Sequence, residues 1–311
     1  MSGGFHPDVL VVGEALIDIV EAGASVTESV GGSPTNVALG LGRLGYRTAL
    51  LTQLADDDRG AAIRAHLRAS GVAILPESYS LEETSTARAL IRDHGQAAYD
   101  FAITWGPLPH VDRIRPRVLH TGSLATFLAP GAAGVRRMVG DCEAEYITFD
   151  PNIRPAVLGA TDLFDTFIQV AGRATVVKLS DEDADWLYPN ATIDEVIDDL
   201  LGRGVGVVAV TKGSEGAILS TRRARVSVAA PITRVVDTIG AGDTFMTSLI
   251  DSLLSGVLED GHRGDDERAL MRAGTAAVRA AAITVSRRGA DLPWRRELQP
   301  FAARAGRPAS A

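Results

Sequence analysis

A doubly wound α/β fold on a mostly parallel sheet is what this sequence predicts, and three observations predict it. From Val118 onward, short apolar β-runs and helical stretches alternate without a break, the pattern of successive βαβ units. Several of those runs end in polar clusters, as strands of open parallel sheets do where they meet a ligand. One stretch, residues 85 to 103, breaks the rhythm and reads as a hairpin. At 311 residues, one large α/β domain with an appendage fits better than two equal domains.

Taken in order, Val9-Leu10-Val11-Val12 is a β-branched run ending in Gly13-Glu14, and it predicts a central strand. Leu16 to Val20 follows as a second strand with one polar position, Asp18. Gly31-Gly32-Ser33-Pro34-Thr35-Asn36-Val37-Ala38 opens a helix marked by Val37, Leu41 and Leu44, with Pro34 in its first turn and Gly45 at its end. Leu50-Leu51-Thr52 and the helical stretch from Gly60 to Ser70, stopped by Gly71, form the next β–α unit. The hairpin pairs Thr86 to Ile91 with Ala97 to Ile103 across a turn at Asp93-His94-Gly95. The later strands are Val118 to His120, Tyr146 to Phe149, Thr175 to Leu179 and Val207 to Val210. Helices fall near 132 to 139, 163 to 171 and 193 to 201. The tail after Phe301, rich in Ala, Arg, Gly and Pro, predicts a frayed end.

Composition narrows the function. With 46% hydrophobic and 23% charged residues, the chain is an ordinary globular protein, and no apolar run approaches the ~20 residues of a membrane span. A net charge of −8 argues against nucleic acid as a partner. Cys142 is the only cysteine, which excludes an internal disulfide; with no signal-peptide pattern in Met1 to Pro7, a cytoplasmic location is expected. Only two of 31 Lys plus Arg are lysine, Lys178 and Lys212, and both stand at the ends of apolar β-runs. His6, His66, His94, His110, His120 and His262 show no metal-ligand spacing.

The chemistry concentrates in Asp237-Thr238-Ile239-Gly240-Ala241-Gly242-Asp243-Thr244-Phe245. Phe245, Leu249 and Leu253 stripe a buried helix that Gly256 stops. Gly240, Ala241 and Gly242 therefore sit on its first turn, where unpaired N–H groups and the positive dipole end suit a phosphate. An acid beside a phosphate makes sense as a base that takes the proton of an attacking hydroxyl. No Gly-Lys-Ser/Thr follows the glycines, so this is not a Walker loop.

This nonamer resembles the C-terminal signature of the ribokinase-like, or PfkB, carbohydrate kinases, and residues 31 to 38 resemble the N-terminal one. The resemblance spans about residues 8 to 295. It implies a ribokinase-like fold: a main α/β domain of residues 1–15, 34–84 and 106–311, and a β lid of 16–33 and 85–105 covering the sugar. It implies Asp243 as catalytic base and Gly240, Ala241 and Gly242 as anion hole. Gly13-Glu14 with Asp18, and Ser33-Pro34, resemble the fructokinase branch, in which Asp18, Gly32, Ser33 and Asn36 would meet the sugar. Asp150-Pro151-Asn152-Ile153-Arg154 resembles an element shared by fructokinases and 2-keto-3-deoxygluconate kinases, with Arg154 on phosphate or a substrate carboxylate.

The remaining roles are also what the resemblance implies. Lys178, Thr211, Lys212, Gly213 and Gly216 would serve the nucleotide. Asp183 stands where the family usually has Glu, the acid that organises water around Mg²⁺, with one methylene less. Asp237 and Ile239, facing the Gly289-Ala290 turn, would shape a K⁺ site. The expected activity is ATP-dependent phosphorylation of a sugar primary hydroxyl, with fructose first. A 2-keto-3-deoxygluconate kinase, a nucleoside kinase and a catalytically silent sugar-binding regulator are the alternatives. The expected partners are ATP, a small sugar and, through the lid, a second copy of the chain.

Overall fold

The computed structural model describes residues 6–23, 25–91, 97–109, 111, 114–159, 163–258 and 266–298. The turn at Asp93-His94-Gly95, Arg92, the first five residues and the tail after Phe301 lie outside the described residues.

The chain runs through β1 (Val9–Val12), β2 (Leu16–Ala22), β3 (Ser25–Gly31), α1 (Ser33–Arg43), β4 (Thr48–Leu51), α2 (Asp58–Ala69) and β5 (Val72–Ile74). It continues through β6 (Thr86–Ile91), β7 (Ala97–Ala102), β8 (Val118–Gly122), α3 (Ser123–Phe127), α4 (Ala132–Asp141) and β9 (Tyr146–Asp150). Then come α5 (Pro155–Leu158), α6 (Phe164–Ala171), β10 (Val176–Ser180), α7 (Asp181–Leu187), α8 (Ile193–Gly202) and β11 (Val207–Thr211). The edge hairpin β12 (Ala217–Ser220) and β13 (Arg225–Val228) precedes α9 (Ala241–Leu254), α10 (Asp266–Val285) and α11 (Arg295–Leu298).

Nine strands form one sheet in the order β13-β12-β11-β10-β9-β8-β1-β4-β5. Every pairing from β11 to β5 is parallel, and only the β11–β12 and β12–β13 pairings are antiparallel. Successive residues of a strand point to opposite faces, and the core divides accordingly. Val9 and Val11 pack with Val37, Leu41, Phe245, Met246 and Ala273 from α1, α9 and α10. Leu10 and Val12 pack on the other face with Val135, Phe167, Val196 and Leu200 from α4, α6 and α8. Near-continuous apolar strands are the requirement of a sheet buried on both sides.

The order of strands reverses direction between β1 and β8: the chain moves from β1 outward to β4, then returns to β8 and proceeds the other way. Ligands of doubly wound sheets bind beyond the carboxyl ends of the strands at such a point. Gly13-Glu14, Gly122-Ser123 and Asp150 all stand there.

The second sheet has the order β3-β2-β6-β7. The expected hairpin is β6–β7, and β6 lies parallel to β2, with Asp18 level with Ala87. Ile17 and Ile19 point into the main core, which places Asp18 on the opposite face of this sheet. Its root is tied by Ile17 N donating to Ser85 O, and by Ser85 Oγ accepting from Thr104 N at 3.1 Å. The segment before α11 closes over α1, where Arg43 pairs with Asp291 at 2.6 Å and lies over the Trp294 ring. Among the described residues, no helix is long and apolar enough to cross a membrane.

Candidate active site

Asp243 is the centre of the site, and the fold reaches it from both ends of the chain. It lies in the first turn of α9 and is 8% exposed. Gly240 caps that helix in the left-handed region at φ 78°, a conformation that costs a residue with a Cβ about 1–2 kcal/mol. The turn it makes leaves donors unspent. Ala241 N donates to Thr238 O and Thr244 N to Gly240 O, while the N–H groups of Gly242 and Asp243 find no acceptor among the described residues. Two such amides at a helix start are an arrangement able to hold an anion.

The carboxylate of Asp243 is gripped by the first turn of α1. Ser33 Oγ donates to Oδ1 at 2.6 Å and Asn36 Nδ2 donates to Oδ2 at 2.7 Å. Burial raises the carboxyl above the usual aspartate range, and the bonds from Ser33 and Asn36, with the charges of Lys178 and Arg154, pull it back. The residues expected to meet the sugar, Ser33 and Asn36, thus converge on the Asp243 carboxylate.

Gly32 holds φ 101°, and a Cβ there would sit 2.5 Å from Glu14 O, so the chain enters α1 against the backbone that follows β1. Asp18 faces the same corner from β2. A Cβ at Gly31 would lie 2.0 Å from its Oδ2, so glycine at 31 makes room for this carboxylate. Burial pushes Asp18 up to about 6, against the pull of Arg154. Arg154 is exposed, donates among the described residues to Ile153 O, and its charge acts on Glu14, Asp18 and Asp243 together.

Lys178 takes a place the sequence did not reveal. It is 3% exposed, pairs with Asp150 Oδ2 at 2.8 Å, and stands behind Gly242, whose added Cβ would lie 3.0 Å from its Nζ. Burial opposes its charge, but Asp150, Asp183 and Asp243 outweigh it and hold the ammonium above the ordinary lysine range. The lysine, expected to serve the nucleotide, lies beneath the first turn of α9. Burial pushes Asp150 up to about 6 despite Lys178, and its Oδ1 has no partner.

Asp183 is 5% exposed and mostly occupied: Oδ2 accepts from Ser180 N and Ser180 Oγ, completing the capping box of α7, and Oδ1 accepts from Ile153 N at 2.7 Å. It ties the Arg154 loop to β10 and keeps lone-pair capacity only on Oδ1. Asp237 accepts from Ile239 N through Oδ1 and from Gly289 N through Oδ2 at 2.9 Å, linking the two loops expected to enclose a cation. Thr211, Lys212, Gly213 and Gly216 form a tight turn at the end of β11, with Lys212 N donating to Gly216 O and Lys212 paired to Glu215. That turn lies two strands from Asp150 at the same end of the sheet.

Two residues belong here that motif reading did not select. Glu14 is fully enclosed, accepts from Ala125 N at 3.0 Å, and is pushed by burial up to about 7. Asp150 holds Lys178. The available signal was that each ends an apolar run beside glycine or proline, an expensive place for an acid without a task.

A doubly wound sheet whose switch point carries a buried carboxylate beside free helix-start amides defines a small-molecule phosphotransferase. Residues 6–116 and 118–296 match the model of the pfkB family carbohydrate kinases, and the chain belongs to that family. Among curated proteins it is similar to the fructokinase of Rhizobium leguminosarum bv. trifolii, at 33% identity over 260 residues, 79% of each chain. Among solved structures it is similar to a fructokinase with bound ATP from Xylella fastidiosa, with TM-score 0.77 and 22% identity, covering 93% of this chain and 96% of that one. It is also similar to the aminoimidazole riboside kinase from Salmonella enterica complexed with aminoimidazole riboside and an ATP analog. There the TM-score is 0.75 at 26% identity, covering 93% and 98%.

Proposed function

We propose that this carbohydrate kinase transfers the γ-phosphate of ATP to a primary hydroxyl of fructose, giving fructose 6-phosphate. The observation that carries this reading is a buried carboxylate, Asp243, held from both sides beside two N–H groups that find no acceptor among the described residues. Asp243 accepts the proton of the attacking hydroxyl, and the Gly240 to Gly242 turn stabilises charge on the transferred group. Asp18 and Gly32 orient the sugar with Asn36, whose amide oxygen remains for a hydroxyl. Lys178 adds positive potential from behind Gly242, and Arg154 meets phosphate from the open side. Closure of the smaller sheet over the sugar excludes water, which otherwise competes as acceptor.

The residues fit a hydrated Mg²⁺ beside the phosphates: Asp183 Oδ1 keeps a lone pair, and Asp150 Oδ1 has no partner. When bound, the ion supplies charge neutralisation on the phosphate oxygens. Backbone carbonyls around residues 237 to 239 and the Gly289 turn suit K⁺.

The choice of sugar follows from charge. Three acids, Glu14, Asp18 and Asp243, share Arg154, and the other cation near Asp243, Lys178, is already paired with Asp150. An anionic substrate such as 2-keto-3-deoxygluconate would have to take Arg154 from the phosphate, while a neutral ketose needs only hydroxyl partners. The relatives named fructokinase support the same choice. In steady-state assays with ATP and Mg²⁺, kcat/KM for fructose is expected to exceed that for 2-keto-3-deoxygluconate by at least ~10-fold. The reverse order refutes the assignment. Including a riboside in the panel tests the reading that the aminoimidazole riboside kinase resemblance favours.

A further inference from the structure

We propose that Ser33 is a positioning residue for Asp243 rather than a sugar ligand: its hydroxyl stands in for the substrate hydroxyl, aiming Oδ1 and keeping the carboxylate ionised until the sugar arrives. The inference rests on reading Asp243 as the base.

Serine hydroxyls near a helix start often bond to their own or neighbouring backbone. Among the described residues Ser33, the first residue of α1 after the N-cap Gly32, does not. Its one hydroxyl proton goes instead to a carboxylate 210 residues away, at 2.6 Å. With that proton spent, the hydroxyl has only lone pairs to offer a sugar. Asn36 clamps Oδ2 through an amide that donates and cannot yield its place by a simple rotation. A hydroxyl rotates freely, so Oδ1 is the oxygen that exchanges Ser33 for the substrate's O–H and receives its proton.

The groups facing Asp243 are few. From α1 come Ser33 and Asn36, from β10 Lys178, and from the loop after β9 Arg154, all favouring the ionised form, while burial and the Asp150 carboxylate at the end of β9 oppose it. Lys178 is shared with Asp150 and Asp183, and Arg154 with Glu14 and Asp18, so their charges are divided. The hydrogen bond from Ser33 is not shared. Removing it takes one charge-assisted bond from the ionised form alone, worth about one pH unit, a tenfold change in the ionisation constant.

The test titrates the Asp243 carboxyl directly in the substrate-free protein by carboxyl ¹³C NMR, with Asp243→Asn to assign the resonance. Ser33→Ala is expected to raise its midpoint by about one pH unit, while Ser33→Thr, which keeps the hydroxyl, titrates like wild type. An unmoved midpoint in Ser33→Ala overturns the proposal. This readout needs no turnover, so it stands apart from the choice of substrate and from the kinase reading. In assays, the acidic limb of kcat/KM should move upward by the same unit. A limb that stays put while KM for the sugar rises at every pH would make Ser33 a sugar ligand after all.

Discussion

Replacing Asp243 with asparagine isolates the proton transfer from everything else the residue does. The side chains are nearly isosteric, and the hydrogen bonds can be re-formed. An asparagine oxygen would accept from Asn36, and its amide nitrogen would donate to Ser33, whose hydroxyl turns from donor to acceptor. The change also removes a buried charge that burial already disfavours, so folding should survive with little loss. What disappears is the ability to take a proton. General-base catalysis contributes about 10²–10⁴-fold, or ~2.7–5.4 kcal/mol of barrier. Turnover should therefore fall by at least ~10²-fold while ATP and sugar affinities, measured by calorimetry, stay within a few-fold. Far-UV circular dichroism and the unfolding midpoint serve as controls for folding. Near wild-type kcat in a folded Asp243→Asn protein would refute the base assignment and leave the anion cradle as the only catalytic element.

Three further predictions address the surrounding groups. Glu14 has its folded-state pKa raised from 4.5 to about 7, so its contribution to stability is fully present below about 4.5 and is lost as pH rises through about 7. Glu14→Gln should flatten the pH dependence of unfolding across that window by about 3 kcal/mol, read from urea melts, and an unchanged slope would show the carboxyl to be less desolvated than its setting requires. Lys178→Met strands Asp150 without its cation and should cost ~3 kcal/mol or more, while adding Asp150→Leu should restore much of it; a single variant as stable as wild type would contradict the buried pair. Activity should rise when K⁺ replaces a bulky organic cation at constant ionic strength, since Asp237 braces the loops at residue 239 and Gly289; a flat response removes K⁺ and leaves the phosphoryl transfer untouched.

The sheet was legible because its strands are buried on both faces. Runs such as Val9-Leu10-Val11-Val12 and Val207-Val208-Ala209-Val210 admit no other reading once helical stretches separate them. The edge hairpin of β12 and β13 was not legible: Gly213 and Gly216 announced a turn, but Arg225 to Val228 alternates apolar and polar over only four residues. At the site, glycine spacing located the cradle of α9, since a free helix start is a local property. Where Ser33, Asn36 and Lys178 point is not local. It depends on α1 packing against α9 and on β10 running beneath it, relations that residue spacing within a motif does not encode.

Holding Asp243 by residues 33 and 36 also has a consequence for how the protein comes into being at the ribosome. The sugar-side residues and most of the parallel sheet emerge long before the segment that carries the base, which lies in the last quarter of the chain. Synthesis runs from the N-terminus, so every strand of the sheet is made before the Asp243 carboxylate that completes the cluster at its switch point. Contacts across more than two hundred residues are among the slowest to close. The proposed base therefore joins the site only when the first turn of α9 docks, and a fragment that ends before α9 is expected to lack phosphoryl-transfer activity.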